Sequence, residues 1–465
     1  MSNFSFSTYI SAFAWRYASP EMRYIFSELH KYELWRRIWV ALAEVQQKIG
    51  LVSQKELEDL QKNEKKIDID RILEIEKETK HDVVAAIREF AEKARVAGRK
   101  IHLGATSMDI VDNADILRVR EGLLLVERRL NLILTVFGKL ITKYANFPCI
   151  GYTHLQPAEP TTVGYRLAFY AQDLLDDLIQ IRLTLKNLKG KGFKGAVGTS
   201  ASYKMLLRAK GITAERFDRE VMKELGLEPM LITSQIYPRR FDFLVLSTLA
   251  SIASSLAKFA GDLRILQSPS FGEWSEPYSE KQVGSSAMPF KRNPVGSENI
   301  CSLARYVTLL PNIALENASL SYLERTLDDS ANRRIILAEG FLATDQILMT
   351  AEKIITGLII NERRIIYNLN LYAPFAATEA ILMEAVKRGA DRQKMHELLR
   401  RISLAAWKAI QAAKPNPMKD LIVGDKRISK FLSEVEIDSL FDVKNYIGDA
   451  PERALKFVKK IEEIG

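Results

Sequence analysis

The fold is decided by the stretch ILRVREGLLLVERRLNLILTVFGKLITKY, residues 116–144. Its apolar residues recur at alternating steps of three and four, which places them in one stripe along an α-helix. That stripe consists of Ile116, Val119, Leu123, Val126, Leu130, Ile133, Phe137, Leu140 and Tyr144. A helix of about 30 residues is ~45 Å long, and its single apolar stripe suits near-parallel packing in a long bundle.

Two further stretches repeat this spacing, from residue 167 to 188 and from residue 245 to 266. Their stripes are Leu167, Ala171, Leu174, Leu178, Ile181, Leu185 and Leu188, and Val245, Leu249, Ile252, Leu256, Phe259, Leu263 and Leu266. We expect these positions to pack in the core of the protein. Alternating strand patterns are nearly absent from the chain, so the sequence predicts an all-α fold with a central bundle of long helices.

Prolines and glycines mark the connections between these helices. Pro148, Pro157 and Pro160 bracket one loop, and a Gly/Ser-rich segment covers residues 268–297. That segment is too long for a routine connection, so it predicts a functional loop or lid. Helical patterning resumes after it and continues to about residue 366. We therefore predict three helical domains, 1–110, 111–366 and 367–465, the middle one holding the loop.

The composition excludes several classes of protein. Of the 465 residues, 47% are apolar and 27% are charged, which excludes a wholly disordered chain. The uncharged stretch from Phe243 to Ala257 is shorter than the ~18 residues of a membrane span, and the N-terminus lacks a secretory signal. Two separate cysteines, Cys149 and Cys301, give neither a disulfide framework nor a zinc site. We therefore expect a cytoplasmic protein without metal or cofactor.

The net charge of +9 is compatible with a polyanionic small substrate or with nucleic acid. The basic residues are scattered, however, and no stretch interleaves them with aromatic residues as a single-strand binder does. A small anionic substrate is therefore favoured, with neither nucleic acid nor a membrane as partner. A basic helical scaffold for nucleic acid stays open as an alternative.

Three of the five histidines stand in polar segments. His81 lies in KHDVV, His102 in HLGATSMD and His154 in GYTHLQPAEPTT. Their neighbours supply hydroxyl and backbone N–H groups that can hold carboxylates. A lone histidine is usually structural, but three in polar segments of a histidine-poor protein indicate a functional site.

The segment GSSAMPFKRNP, residues 284–294, joins a flexible Gly-Ser-Ser run to the cation of Lys291 and the amide of Asn293. Pro294 is predicted to open the next helix, whose N-terminal N–H groups attract anions. Glu298 follows seven residues after Lys291 and faces the same side if the helix is continuous between them. By itself this segment is either a phosphate loop or a plain turn.

Three segments carry a resemblance to a known family. Residues 102–114, 151–162 and 284–294 resemble, in the expected order, characteristic blocks of the fumarase/aspartase superfamily, whose members eliminate fumarate from succinyl-type substrates. The resemblance covers essentially the whole chain. Within the superfamily the sequence is most similar to the adenylosuccinate lyase family, at Arg16-Tyr17 followed by Pro20-Glu21-Met22, at KHDVV, at SAMPFKRNP and at LERTLDDSANRR, residues 323–334.

The last of these segments also has a direct physical interpretation. Two guanidinium groups and a hydroxyl, from Arg325, Arg334 and Ser330, suit a phosphate group. Their spacing places them together only if a helix begins or breaks between them, and the alternative is a solvated run of charges. The matching positions of the family bind the nucleotide phosphate. Leu323 and Thr326 stand where some members have His and Asp, so no role is transferred to them.

The resemblance implies an anti β-elimination, in which a base removes a proton α to a succinyl carboxylate while an acid protonates the leaving nitrogen. It implies Ser285 as the base and His154 as the acid, with Glu298 paired to His154. His81 is expected near the leaving group or the phosphate, and Lys291 is expected to help activate the serine.

The substrate contacts implied by the resemblance cover more of the chain. The succinyl carboxylates are expected at His102, Thr106, Ser107, Lys291 and Asn293. The full expected set of substrate-binding residues is Arg16, Tyr17, His81, Asp82, His102, Thr106, Ser107, Gln235, Lys291, Asn293, Arg325, Ser330 and Arg334. The resemblance implies no metal and no cofactor.

The helix predicted at residues 116–144 begins just after Thr106 and Ser107 and ends just before His154. A straight helix holds these residues at opposite ends, so one active site needs more than one subunit. This agrees with the homotetramer of the family, whose central bundle builds each site from three chains.

The implied reaction releases fumarate and AMP from adenylosuccinate, and the same chemistry splits succinylaminoimidazole carboxamide ribotide. Two alternatives stay open at the level of the sequence. One is another lyase of the superfamily, such as an argininosuccinate lyase or a carboxymuconate cycloisomerase. The other is a structural protein that reuses the scaffold without catalysis, as an eye-lens crystallin does.

Overall fold

The structure, a computed structural model, describes residues 7–279, 281 and 283–464. Its α-helices in chain order are α1 (Pro20–Ile25), α2 (Glu28–Lys48), α3 (Gln54–Asn63), α4 (Ile69–Thr79), α5 (Asp82–Lys93), α6 (Ser107–Tyr144), α7 (Val163–Lys186), α8 (Ala201–Leu206), α9 (Ala214–Glu224), α10 (Arg240–Gln267), α11 (Val295–Val307), α12 (Leu310–Ser319), α13 (Ser330–Thr356), α14 (Glu362–Tyr372), α15 (Ala377–Lys387), α16 (Arg392–Gln411), α17 (Met418–Val423), α18 (Glu434–Leu440) and α19 (Ala450–Ile464). The strands within the described residues are β1 (Pro148–Thr153), β2 (Gln156–Thr162), β3 (Trp274–Ser275) and β4 (Ile359–Ile360). Residues 280 and 282 of the predicted loop, and residues 1–6 and 465 of the outer predicted domains, lie outside the described residues.

The predicted all-α class is confirmed, and the three apolar stripes fall on α6, α7 and α10, except that Leu188 lies just after the end of α7. Every stripe residue is buried except Leu140 and Leu185, which are half-buried. α6 begins well before the predicted start at residue 116, because Ile110 and Ala114 continue its buried side. It has 38 residues, which corresponds to a length of about 57 Å.

The chain divides into two compact units. Unit one comprises Met1–Leu130, Asp177–Ser254 and Ser302–Met349, and unit two comprises Asn131–Asp176, Ser255–Cys301 and Thr350–Gly465. Each unit therefore draws on stretches that are far apart in the sequence. The division into domains 1–110, 111–366 and 367–465 stays a prediction.

In unit one, the start of α6 is fixed by the buried carboxylate of Asp109. This carboxylate accepts hydrogen bonds from the backbone N–H of Thr106 at 3.0 Å and of Gly195 at 3.3 Å, and it pairs with the buried ammonium of Lys191. An acidic side chain in the first turn also complements the positive end of the helix dipole. Thr106 and Ser107 therefore lie at a helix N-terminus with a defined position.

In unit two, the segment predicted as a loop around Pro148, Pro157 and Pro160 is instead an antiparallel hairpin of β1 and β2. Prolines fit there because each strand of a two-stranded sheet has an unpaired outer edge. The two residues between the strands, His154 and Leu155, both have positive φ, 54° and 59°. This is the backbone of a two-residue hairpin turn that usually takes Asn-Gly, so His154 occupies a strained position at the tip.

A buried acid holds the base of this hairpin. The Glu273 carboxylate accepts hydrogen bonds from Tyr152 Oη at 2.8 Å, Arg166 Nη1 at 2.9 Å and Asn368 Nδ2 at 2.9 Å. These three donors come from β1, α7 and α14, so one carboxylate links the hairpin to the helices around it. Glu273 is fully buried, and a buried charge is stable only when it is paired in this way.

One helix of the described residues, α10, is long and apolar enough to cross a membrane by length and composition alone. Half of its most apolar window is buried inside the protein, and the stripe residues Val245, Leu249, Ile252 and Leu256 are fully buried. A buried core helix passes the same test, so α10 gives only weak support for a membrane span.

Two glycines of unit two allow a test of how tightly the hairpin region packs. A Cβ atom on Gly164, at the start of α7, would lie 2.6 Å from Ala145 Cα, whereas one on Gly138 in α6 would lie 3.7 Å from Val458 Cγ1. We expect Gly164→Ala to destabilise the protein by about 1–3 kcal/mol, because backbone must move. Gly138→Ala should stabilise it by about 0.5–1 kcal/mol through helix propensity.

Thermal and denaturant unfolding followed by circular dichroism would measure both variants. Comparing the two variants separates the effect of steric crowding at Gly164 from the general effect of replacing a helical glycine with alanine. Equal changes in the two variants would contradict close packing between the start of α7 and the end of α6.

Candidate functional site

Unit one contains a cavity of about 910 Å³. Eight of the residues expected to bind substrate line it, and they come from segments that are far apart in the chain. These residues are His81, Asp82, Thr106, Ser107, Gln235, Arg325, Ser330 and Arg334. The cavity thus brings together most of the candidate residues of this unit.

Three helices begin at the cavity wall, α5 at Asp82, α6 at Ser107 and α13 at Ser330. The first N–H groups of a helix have no partner inside the helix, and they carry partial positive charge. Anions bind at such helix ends. The sequence required a helix to begin or break among Arg325, Ser330 and Arg334 if all three are to bind one phosphate. Helix α13 does begin at Ser330, so that Arg325 precedes the helix and Arg334 lies in its second turn.

Arg325 is held in place by a buried acid. The Asp329 carboxylate accepts a hydrogen bond from Arg325 Nη1 at 2.7 Å through one oxygen and from Arg239 Nε at 2.6 Å through the other. Burial raises the pKa of Asp329, but the two guanidinium groups outweigh it, so that the pKa lies below its usual range. Asp329 therefore stays ionised and fixes the Arg325 side chain at the cavity.

Arg334 is placed differently, since its side chain is 73% exposed and its guanidinium lies 3.7 Å from the Asp82 carboxylate. His81 is the N-cap of α5, and its Nδ1 accepts a hydrogen bond from the backbone N–H of Val84 at 3.5 Å. The imidazole is exposed and lies 3.5 Å from Asp82. These side chains have room to adjust to a ligand.

The wall beside Arg325 is a buried network of arginines and aspartates. Arg239 bonds both oxygens of Asp112, at 3.2 and 3.0 Å, while Arg333 bonds Asp115 at 2.5 Å and Asp242 at 2.7 Å. Each guanidinium here is matched by carboxylates, so the network orients groups rather than adding free positive charge.

Arg16, Tyr17 and His102 belong to unit one but are not among the residues that line the cavity. Arg16 is exposed, and its guanidinium lies 5.8 Å from the Trp15 ring centre and 6.0 Å from that of Tyr17. His102 is half-buried, with a left-handed backbone at φ 68°. Burial lowers the pKa of His102 to about 4 although the nearby Asp109 raises it, so the imidazole is neutral near pH 7.

Unit two holds the remaining candidates. His154 is exposed at the hairpin tip, and Ser285 is half-buried in the segment before α11. The Ser285 Oγ accepts hydrogen bonds from the backbone N–H groups of Ala287 at 3.3 Å and Met288 at 3.1 Å. Two N–H donors on one hydroxyl oxygen favour its deprotonated form.

The segment around Ser285 is a compact turn. Asn293 Nδ2 donates to the Gly284 carbonyl at 3.0 Å, and the Lys291 backbone N–H donates to the Met288 carbonyl at 3.0 Å. A Cβ atom on Gly284 would lie 2.0 Å from the Lys291 carbonyl oxygen, so only glycine fits at this approach. The Lys291 side chain is exposed.

The predicted common face of Lys291 and Glu298 is not present, because α11 begins at Val295 and Lys291 precedes it. Glu298 lies 4.0 Å from Arg264, and no contact between His154 and Glu298 is found within the described part of one chain. The pairing of Glu298 with His154 therefore stays a prediction.

Several positioning groups escaped the sequence analysis. The Glu276 carboxylate accepts hydrogen bonds from the backbone N–H groups of Gly296 at 3.1 Å and Ser297 at 2.5 Å, which caps the first turn of α11. Asp109 and Asp329 act similarly at α6 and Arg325. A local sequence pattern can identify a capping residue that lies three residues from the group it caps. It cannot identify Glu276, which lies 20 residues before the N–H group of Gly296 that it caps.

No metal centre is found among residues 7–279, 281 and 283–464, where no three His, Cys, Asp or Glu side chains are grouped to hold an ion. The candidate residues instead offer guanidinium, ammonium, hydroxyl, imidazole and helix N–H groups. These are the partners of carboxylates and phosphates. The chemistry supported by the site is acid–base catalysis on an anionic substrate.

Comparisons with known proteins identify the family. Residues 16–309 match the family described as Lyase, and residues 374–457 match the one described as Adenylosuccinate lyase C-terminus. The adenylosuccinate lyase of Schizosaccharomyces pombe is 37% identical over 98% of this chain and 94% of its own length. That of Archaeoglobus fulgidus is 34% identical over 97% of this chain and 98% of its own length.

Solved structures agree with these matches. A 3-carboxy-cis,cis-muconate lactonizing enzyme from Pseudomonas putida has a TM-score of 0.85 at 25% identity, covering 98% of this chain and 99% of its own. A fumarate lyase from Mesorhizobium sp. BNC1 has a TM-score of 0.82 at 24% identity, covering 97% and 99%, and shows the fold alone. On the sequence matches over nearly its whole length, the chain belongs to the adenylosuccinate lyase family.

Proposed function

We propose that the protein splits adenylosuccinate into AMP and fumarate by anti β-elimination, and that it acts in the same way on succinylaminoimidazole carboxamide ribotide. The observation that carries the proposal is the cavity of unit one, where Arg325, Ser330 and Arg334 surround the N-terminus of α13. A chain of the adenylosuccinate lyase family with this cluster has a site for the 5′-phosphate that both substrates carry. We expect it to work in the cytoplasm.

The phosphate would bind to three kinds of donor at once. The helix N-terminus supplies backbone N–H groups, Ser330 supplies a hydroxyl and Arg325 supplies a guanidinium already oriented by Asp329. Arg334 is exposed and would close on the ligand from outside. Because Arg325 is fixed before binding, less side-chain entropy is lost when the phosphate arrives.

The proton α to a succinyl carboxylate is weakly acidic, because its removal loads more charge onto an existing carboxylate. Ser285 is our candidate base. A serine needs activation for this role, and the two N–H donors on its Oγ support the alkoxide form. Lys291, six residues further along the chain, is our candidate cation for this activation, and both it and Asn293 are candidates to hold a carboxylate.

The dianionic intermediate must be stabilised as its charge develops. Thr106 and Ser107, at the positive end of α6, are suitable donors. The neutral imidazole of His102 is our candidate to hold a succinyl carboxylate of the bound substrate. Losing one such preorganised donor typically costs about 3–4 kcal/mol of transition-state stabilisation. Asp109, which fixes the start of α6, supports this role indirectly.

His154 is our candidate general acid toward the leaving nitrogen. The hairpin holds it at an exposed tip, and the positive φ of the turn restricts its backbone. An exposed acid on a rigid support suits a site that is completed by other groups. His81 remains the candidate for contact near the leaving group or the phosphate.

We infer further that each active site combines residues of several subunits of a homotetramer. Ser107 is the first residue of α6, and Thr106 directly precedes it. His154 follows ten residues after the last residue of α6, and a helix of this length measures about 57 Å. Exposed leucines and isoleucines on the long helices support self-association, namely Leu124 at 49%, Leu132 at 49%, Ile179 at 44% and Leu183 at 49% exposure.

The proposed substrate can be tested by following fumarate and AMP release in the ultraviolet. We expect turnover of adenylosuccinate and none of argininosuccinate, which has no phosphate. Succinyladenosine, which lacks only the phosphate, should be split with a kcat/KM at least about a hundredfold lower, since several charged hydrogen bonds are lost. Turnover of argininosuccinate alone would support the elimination chemistry but contradict the nucleotide as substrate. No turnover of any of the three compounds would favour a structural protein without catalytic activity.

Replacing the candidate acid should affect turnover rather than assembly. We expect His154→Ala to lower kcat at least about a hundredfold, because a general acid typically accelerates a reaction by at least about this factor. The elution of the oligomer on size-exclusion chromatography should be unchanged. His396→Ala is the matched control, because His396 is equally a histidine exposed to solvent, on α16, without a predicted role. Near-normal turnover by His154→Ala would remove it from the mechanism.

Shared sites can be tested by mixing inactive variants. We expect His81→Ala and His154→Ala proteins, one altered in each unit, to regain activity after subunit exchange, because about one quarter of randomly mixed sites would receive both wild-type histidines. Each variant taken alone through the same exchange is the control. Complete exchange without any rescue would contradict sites that combine these residues from different subunits.

A further inference from the structure

We propose that Trp39 is a positioning residue whose indole N–H fixes His102 in the tautomer that carries its proton on Nε2. In this form His102 can only donate a hydrogen bond through Nε2, which is what a substrate carboxylate requires. The functional consequence rests on the proposed role of His102 in holding a succinyl carboxylate. The tautomer itself is a property of the protein that needs no substrate.

The contact that carries this inference is a hydrogen bond of 3.1 Å between Trp39 Nε1 and His102 Nδ1. An indole N–H is a donor only, so Nδ1 must be the acceptor and cannot carry a proton of its own. A neutral imidazole has one proton, which then lies on Nε2. Trp39 is 2% exposed on α2, and its ring meets the imidazole edge-on, with ring centres 6.2 Å apart.

Burial keeps the His102 imidazole neutral. Asp109 favours the protonated form and His81 opposes it, but burial is the largest influence and lowers the pKa of His102 to about 4. The ring therefore has one donor and one acceptor near pH 7. With the acceptor occupied by Trp39, only the donor remains for a ligand.

The same helix fixes the backbone next to His102. Gln46 of α2 donates a hydrogen bond through Nε2 to the Leu103 carbonyl at 2.9 Å, and Ser202 Oγ donates to the Gly104 carbonyl at 2.9 Å. His102 has a left-handed backbone, which costs energy for a residue with a Cβ atom. Bonds to a strained histidine and to both residues after it indicate that its orientation is set by the fold.

Trp35 provides a matched control on the same helix. It lies one turn before Trp39, is 1% exposed, and its Nε1 has no hydrogen-bond partner among the described residues. Replacing either tryptophan with phenylalanine removes an indole N–H and part of a buried ring. Only the Trp39 replacement removes a hydrogen bond to a histidine.

The first experiment is isotope-edited nitrogen NMR of the full-length protein labelled at its histidine ring nitrogens, with His102 assigned by its loss in His102→Gln. At pH 7 we expect the wild-type His102 to be neutral with its proton on Nε2. Trp39→Phe should give a mixture of tautomers, while Trp35→Phe should leave the His102 signals unchanged. A wild-type proton on Nδ1 would overturn the proposal without any variant, as would a Trp39→Phe spectrum identical to that of the wild type.

Kinetics then connect the tautomer to the substrate. We expect Trp39→Phe to raise KM for adenylosuccinate about five-fold with a smaller change in kcat. The reason is that the hydrogen bond that orients His102 is lost, and one such bond typically contributes about 1 kcal/mol. His102→Gln, which places an amide N–H near Nε2, should retain more activity than His102→Asn, which places it near Nδ1. An equal loss in both variants would overturn the need for a donor at Nε2.

The two proposals fail in different ways. If the wild type does not turn over adenylosuccinate, the proposed function is wrong. The NMR measurement still tests the His102 tautomer in that case, because it needs no substrate. If His102→Asn lowers activity but Trp39→Phe changes neither tautomer nor KM, the role of Trp39 fails and the function survives.

Discussion

The continuity of α6 is the constraint on which the rest of the structure depends. Its buried apolar stripe continues along a helix of 38 residues that contains no proline. Asp109 fixes the first turn through Thr106, and the chain leaves the last turn directly into the hairpin that carries His154. This length is the physical reason for the proposal that sites combining residues from both ends of α6 are completed by a second subunit.

Much of this architecture was predictable from the sequence because helical periodicity is local. The stripes on α6, α7 and α10 each repeat over several turns, and nearly all their members are buried as predicted. The candidate residues around Thr106, Ser330 and Ser285 were found for another reason, since their short segments resemble those of a known family. Five of the candidates in the first two segments line one cavity, namely Thr106, Ser107, Arg325, Ser330 and Arg334.

What the sequence could not supply are contacts between distant segments. The hairpin of β1 and β2 was predicted as a loop because of its three prolines, and edge positions that tolerate proline are known only once the strands are paired. The acids at Asp109, Glu276 and Asp329 serve partners that no local rule connects to them, such as Lys191 for Asp109. Single charged residues in helical segments look alike until the fold brings their partners together.

The proposed site therefore combines two kinds of side chain. Arg325 and His102 are fixed in advance, one by the Asp329 carboxylate and the other by the Trp39 indole, so their orientation costs little when substrate binds. The Arg334 side chain is exposed and lies 3.7 Å from the Asp82 carboxylate, so it has room to move. An elimination that passes through a dianion needs preorganised donors at the developing charge, whereas groups that admit the substrate must be free to move. On this proposal, a buried partner marks a residue that anchors the substrate, and an exposed side chain marks one that closes around it.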